Sequence, residues 1–230
     1  MTPFREKIAA LNQSIQAAAL KVKSDPSSIM LLPVTKTVEP ARILQAYETG
    51  IRCFGENRVQ ELVEKMDKLP RDIEWHMIGR LQTNKVKYIV GRVALIQSLD
   101  RLDLFKEIER QALKKGVQEA PCLLEINSSG EPQKGGLMPE AVDDFLKALP
   151  AESPIRLKGL MTVGPPGEDK EKVRSCFRAV RSLQAKLKEK YPRHQWDILS
   201  MGMSGDYEIA IEEGSTLIRL GSLLFGSRPI

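Results

Sequence analysis

The hydrophobic residues of the chain fall into two alternating patterns. Short unbroken apolar runs are followed by longer stretches in which apolar residues recur every three or four positions. The first pattern reads as a strand buried on both faces of a parallel sheet, the second as an amphipathic helix. Met30-Leu31-Leu32-Pro33-Val34-Thr35 is the clearest run, and it leads straight into Lys36. Further strands are predicted over 52–56, 73–78, 93–97, 121–126, 157–163, 196–199 and 216–220. Helices are predicted between them over 39–49, 58–68, 83–90, 101–115, 139–149, 170–190 and 206–213, with a last short turn from 223. One more helix precedes the first strand. Phe4, Ile8, Leu11, Ile15, Ala18 and Val22 share a face, Thr2-Pro3 is a start signal, and Ser24-Asp25-Pro26 is a stop. This helix is expected to plug or flank the rest.

Eight strands alternating with helices predict a single (β/α)8 TIM barrel over residues 1–230, with an extra N-terminal helix. An open doubly wound sheet is the competing architecture. It would carry a glycine-rich loop after its first strand, whereas Thr-Val-Glu-Pro follows Lys36. The longest loop spans 127–138.

Composition narrows the function classes. The chain has 230 residues, of which 42% are hydrophobic and 28% charged, enough for a sizeable core without disulfide staples. The net charge of +5 is spread along the sequence without a basic tract, which argues against nucleic-acid binding and leaves small anions as partners. The three cysteines, Cys53, Cys122 and Cys176, form no CxxC pair and read as free thiols. His76 and His194 have no metal-ligand partners at helical spacing, so no metal is expected. No apolar stretch reaches membrane-span length and no signal-peptide core follows Arg5-Glu6-Lys7, so a cytoplasmic location is expected.

Barrel chemistry gathers at the carboxyl ends of the strands. Lys36 lies at the first such end, Glu56-Asn57 at the second, Gly79-Arg80 at the third and Asn127-Ser128 at the fifth. Ser200-Met201-Gly202-Met203-Ser204-Gly205 follows the seventh strand, and Arg219 with Gly221-Ser222 ends the eighth. Barrels often bind phosphate with the loops after strands seven and eight and a neighbouring helix start, here near Asp206. The same residues would also serve as a plain Gly/Ser turn capped by Ser204. A lysine facing a phosphate cradle meets the needs of pyridoxal phosphate: an amine for the aldehyde and an anion site for the ester. Arg219 is placed to reach the pyridine nitrogen, or else to form an ion pair with Glu56 inside the barrel.

Several motifs occur in one order: Val34-Thr35-Lys36-Thr37, Phe54-Gly55-Glu56-Asn57, Trp75-His76-Met77-Ile78-Gly79, Leu81-Gln82-Thr83-Asn84-Lys85, Gly159-Leu160-Met161, Leu199-Ser200-Met201-Gly202-Met203-Ser204, and Arg219-Leu220-Gly221 with Phe225-Gly226. With them the chain resembles the pyridoxal phosphate homeostasis proteins, the YggS or proline-synthetase co-transcribed family. The resemblance implies a fold-type III barrel like the N-terminal domain of alanine racemase, with pyridoxal phosphate as a Schiff base on Lys36. It implies phosphate contacts at Ser200, Ser204 and Gly221 beside Met201, Arg219 as partner of the ring nitrogen, and Asn57 at the side of the ring. Lys134 matches a lysine often present in the family. The implied role is intracellular cofactor homeostasis without efficient catalysis, by a monomer that exchanges cofactor with pyridoxal-phosphate-dependent apoenzymes. A low-activity racemase-like enzyme is the alternative, and a barrel binding another phosphorylated metabolite is a third reading. The chain departs from the family at Val38, where many relatives have a second lysine, and at Arg58, where they often have tyrosine. Arg80 occupies a variable position.

Overall fold

A computed structural model describes residues 3–131, 134–167 and 169–226. Its eight strands are β1 (Met30–Pro33), β2 (Cys53–Glu56), β3 (Glu74–Met77), β4 (Leu95–Leu99), β5 (Ala120–Ile126), β6 (Ile155–Thr162), β7 (Ile198–Ser200) and β8 (Leu217–Leu220). They form one parallel sheet in the order β1-β8-β7-β6-β5-β4-β3-β2. A bridge between Val34 and Gly55, with Thr35 N–H donating to Gly55 O at 2.9 Å, joins β1 to β2 and closes the ring. The predicted TIM barrel is therefore the fold.

The helices are α1 (Pro3–Lys21), α2 (Pro40–Tyr47), α3 (Val59–Lys68), α4 (Val86–Ile89), α5 (Leu102–Lys115), α6 (Val142–Lys147), α7 (Lys170–Lys190), α8 (Tyr207–Glu212) and α9 (Ser222–Phe225). The extra helix α1 flanks the barrel rather than plugging it. Phe4 packs against Phe225 with ring centroids 5.6 Å apart, and Ser14 Oγ shares a hydrogen bond with Tyr207 Oη at 2.8 Å. The N-cap expected at Thr2 lies outside the described residues.

Strand periodicity divides the interior into two layers. Outward residues such as Phe54, Trp75, Met77, Ile96, Leu124 and Leu160 join the main core beneath the helices. Inward residues Leu95, Leu123 and Met161, with Ile198 and Val163 against them, form a separate plug inside the barrel. The same inward parity carries upward to Val34 and Lys36, Asn57, Ile78 and Arg80, Glu125, and Arg219 and Gly221. Ring closure thus points these side chains at one another from separate strands.

Two strands start two residues later than predicted. The fourth strand begins at Leu95, because Val93 N–H still bonds Ile89 O at the end of α4. The seventh begins at Ile198, because Trp196 is held in the preceding loop, its Nε1–H donating to Tyr191 O at 3.0 Å. Between β6 and β7 the backbones come very close at Gly159. It has φ +153°, and a Cβ there would stand 1.8 Å from Ile198 O. Gly159→Ala should therefore destabilise the barrel by roughly 3 kcal/mol or more in urea unfolding. A loss below about 1 kcal/mol would mean that the two strands can separate cheaply.

Candidate active site

A cavity of about 720 Å³ opens at the carboxyl end of the barrel. Lys36, Asn57, Ser204, Arg219 and Gly221 all line it, together with Val34, Ile78, Arg80, Glu125, Met161 and Val163. Five of the seven residues singled out from sequence are thus brought to one place. The other two, Ser200 and Met201, are fully buried behind the wall.

Ser200, expected as a phosphate contact, is engaged with other side chains of the barrel. Its hydroxyl accepts a hydrogen bond from Arg219 Nη1 at 2.6 Å and donates to Gln97 Oε1 at 2.7 Å. Gln97 Nε2 in turn donates to His76 Nδ1 at 3.0 Å. That last bond requires a neutral imidazole, and burial pushes the His76 pKa down to about 4, so the ring is neutral at physiological pH. Arg219 Nη2 donates to Thr162 O at 2.8 Å, and Thr162 Oγ1 donates to Ile126 O at 2.8 Å. A hydrogen-bonded floor therefore crosses β3, β4, β7, β8 and β6 beneath the cavity, and Arg219 is its central member. Gln97 and His76 were missed as contributors. Their one sequence signal was a polar residue at inward parity in an otherwise apolar strand. Glu56 does not pair with Arg219; it is bound by Lys65 Nζ at 2.6 Å.

Burial lowers the Arg219 pKa to about 10, with the nearby charges of Asp206 and Glu125 acting in the opposite sense. The guanidinium therefore remains charged at neutral pH.

The loops after β7 and β8 supply backbone donors. Gly202, at φ +98°, makes the turn; a Cβ there would lie 2.6 Å from Ala210 Cβ. Met201 N–H is taken by Leu217 O, and Met203 N–H by Asp206 Oδ1 at 2.6 Å. The N–H groups of Ser204, Gly205, Gly221 and Ser222 donate to no protein acceptor among the described residues. All four residues line the cavity, and unbonded backbone N–H groups on two neighbouring loops are donors of the kind a phosphate takes. The helix beyond the first loop, α8, is only six residues long, so the loop backbone rather than a long helix carries the anion-binding capacity.

Asn57 is fixed from below, where Glu56 Oε1 accepts its N–H at 2.6 Å. Gly79 admits the Asn57 backbone; a Cβ there would be 2.2 Å from Asn57 O. Lys134 does not line the cavity. Its Nζ donates to Gly164 O at 3.0 Å and pairs with Glu131 at 2.8 Å, tying the β5 and β6 loops together. Val38 and Arg80 line the wall, while Arg58 is exposed at the N-cap of α3. Among the described residues no group of side chains is arranged to hold a metal.

Glu125 is the other unforeseen feature. It sits on β5, opposite β1 across the closed ring, and its carboxyl makes no hydrogen bond among the described residues. Gly135 covers it and Asp100 together: a Cβ there would stand 3.5 Å from Glu125 Oε1 and 3.7 Å from Asp100 Oδ2. Burial first, and the Asp100 charge second, push its pKa from 4.5 to about 7 against the opposing pull of Arg219, Arg80 and Arg101. The folded protein therefore holds this proton more tightly than the unfolded chain. The stabilisation is complete below pH 4.5 and is lost as pH rises through about 7. Glu125→Gln should flatten this decline, so that the mutant gains on the wild type by roughly 1–3 kcal/mol between pH 4.5 and pH 8 in urea unfolding. Parallel pH profiles for the two proteins would show that Glu125 titrates normally.

Comparison with known proteins agrees with this geometry. Residues 7–229 match the family model described as alanine racemase, N-terminal domain. The pyridoxal phosphate homeostasis protein of Aquifex aeolicus is 43% identical over 224 residues, covering 97% of each chain. The structure of PipY from Synechococcus elongatus with PLP bound is 32% identical and superposes with a TM-score of 0.83, over 97% of this chain and 100% of that one. An alanine racemase from Clostridium difficile, at 16% identity and a TM-score of 0.75, shares the fold over 100% of this chain and 58% of its own. With a matching barrel, a family match over nearly the whole chain, and Lys36 and Arg219 lining one cavity, the chain belongs to the pyridoxal phosphate homeostasis protein family.

Proposed function

We propose that this protein holds pyridoxal phosphate on Lys36 and serves in cofactor homeostasis rather than in catalysis. The observation that carries the reading is that Lys36, the buried Arg219 and four residues with unbonded backbone N–H groups line one cavity. When bound, pyridoxal phosphate supplies an aldehyde that combines with amines and a ring that can withdraw electrons from them. Every other part of the reading concerns this chain's own residues. Lys36 supplies the primary amine. Ser204, Gly205, Gly221 and Ser222 take the phosphate through their N–H groups, with the Ser204 hydroxyl beside them. Asn57 flanks the ring.

Arg219 faces the ring nitrogen. Its bonds to Ser200 and Thr162 aim it, and it keeps its own protons at neutral pH. It therefore donates a hydrogen bond to that nitrogen without protonating it, which leaves the ring a weak electron sink. Two-base racemisation also needs an acid or base on each face of the substrate carbon. No tyrosine lines the cavity. Tyr47 bonds Asp72, Tyr191 bonds Asp143, Tyr207 bonds Ser14, and Tyr88 is exposed near Lys87. Both features favour retention and exchange of cofactor over turnover of amino acids.

In this reading the protein works as a monomer in the cytoplasm and exchanges cofactor with pyridoxal-phosphate-dependent apoenzymes. Among the described residues no helix is long and apolar enough to cross a membrane. Borohydride reduction of the loaded protein, followed by peptide mapping, should place a pyridoxyl label on Lys36 and none on Lys36→Ala. Solvent deuterium should enter the Cα of added L-alanine slowly, with no D-alanine formed. Label on a different lysine would defeat the assignment, and rapid racemisation would defeat the carrier reading.

A further inference from the structure

Lys36 sits in a turn that its own sequence does not favour. Thr37, the residue after it, has φ +63°, in the left-handed region that β-branched side chains avoid. The turn is closed by Val38 N–H donating to Thr35 O at 2.9 Å. Two side chains of α3, spaced four residues apart on one helical face, grip the peptide groups on either side of Lys36. On one side, Lys65 Nζ donates to Thr35 O at 2.7 Å. On the other, Glu61 Oε2 accepts the Thr37 N–H at 2.9 Å. The same Glu61 oxygen receives Lys65 Nζ at 3.2 Å, so the two grips are linked. Lys65 is anchored in turn by the fully buried Glu56, whose Oε2 it meets at 2.6 Å and which also accepts Thr35 Oγ1–H at 3.0 Å.

We propose that the Glu61–Lys65 pair is the positioning device for Lys36: it holds Thr37 in the left-handed conformation and thereby aims the Lys36 amine into the cavity. The inference rests on the reading of Lys36 as the cofactor-bearing residue. Neither Glu61 nor Lys65 lines that cavity, so their effect on it passes through the backbone. Glycine adopts a positive φ at no steric cost. If Glu61 acts by holding the turn, Thr37→Gly should supply by conformational preference what the lost hydrogen bond supplied by force. A residue that only stabilised the barrel, or acted through its charge, would not be replaceable in this way.

The test compares wild type, Glu61→Ala, Glu61→Gln, Thr37→Gly and the double variant Glu61→Ala/Thr37→Gly as apoproteins. Two rates are read, both located by peptide mapping: incorporation of pyridoxal phosphate at Lys36 under borohydride, and acetylation of Lys36 by acetic anhydride without cofactor. Circular dichroism and thermal unfolding report the fold. Glu61→Ala should slow cofactor incorporation at Lys36 by tenfold or more and change its acetylation rate while the barrel signal is kept. The double variant should recover at least fivefold over Glu61→Ala. Glu61→Gln, whose amide oxygen can still accept from Thr37 N–H, should stay within about threefold of wild type, and this arm remains decisive should Glu61→Ala fail to fold. A double variant no faster than Glu61→Ala, or a tenfold loss in Glu61→Gln, would overturn the inference while leaving the cofactor reading in place. Absence of label on wild-type Lys36 would overturn both.

Discussion

The site depends on burying one permanent charge. Arg219 lies at the mouth of a parallel barrel, where its guanidinium has lost most of its water. An isolated cation in that position is costly, so its N–H groups must be met by acceptors. Ser200 and the Thr162 carbonyl meet two of them, and Ser200 can do so because Gln97 and a neutral His76 complete the chain behind it. The cation is thus held rigidly, and its direction is set by four other strands. On the proposed reading, a side chain that retains its proton at this point also restrains the chemistry: it favours binding a heteroaromatic ring over activating it.

Around that fixed charge, strand alternation does the rest. Parallel strands closed into a ring send every second residue inward, so Lys36, Asn57, Arg80, Glu125 and Arg219 converge although the chain separates them widely. The loops after β7 and β8 contribute mainly backbone. Their glycines permit the turns, and the N–H groups left unbonded there are the donors on which the proposed phosphate site relies, with the Ser204 hydroxyl beside them. Glu125 runs the other way, since it half-buries an acid next to Asp100 with no hydrogen-bond donor among the described residues, and the nearby arginines offset that only in part.

Much of this was legible in the sequence. The run from Met30 to Thr35 exposed both the first strand and the lysine at its end, and the Gly/Ser loop after the seventh strand pointed to Ser204 and Gly205, which line the same cavity. What depends on a single element's periodicity, or on a residue's place at a strand end, could be read in that way. The partners of Ser200 could not, because they lie on other strands: its hydroxyl meets Arg219 and Gln97. Glu56 was visible as a strand-end acid, yet its partner is Lys65 on the following helix, a pairing that requires the helix to be docked. The starts of β4 and β7 differ for another reason. Val93 and Trp196 are apolar enough to belong to strands, and local hydrogen bonds to Ile89 O and Tyr191 O hold them in the segments that precede the strands.

The most direct test of the account compares the affinities of the apoprotein for pyridoxal phosphate and for pyridoxal, which offers the same aldehyde and ring without the phosphate. Equilibrium dialysis of both ligands at neutral pH and fixed ionic strength would suffice. With several charge-assisted bonds to the phosphate, each contributing on the order of 1.5–3 kcal/mol, pyridoxal phosphate should bind at least a thousandfold more tightly. Equal affinities would contradict the account, because they would mean that the loops after β7 and β8 do not hold the phosphate.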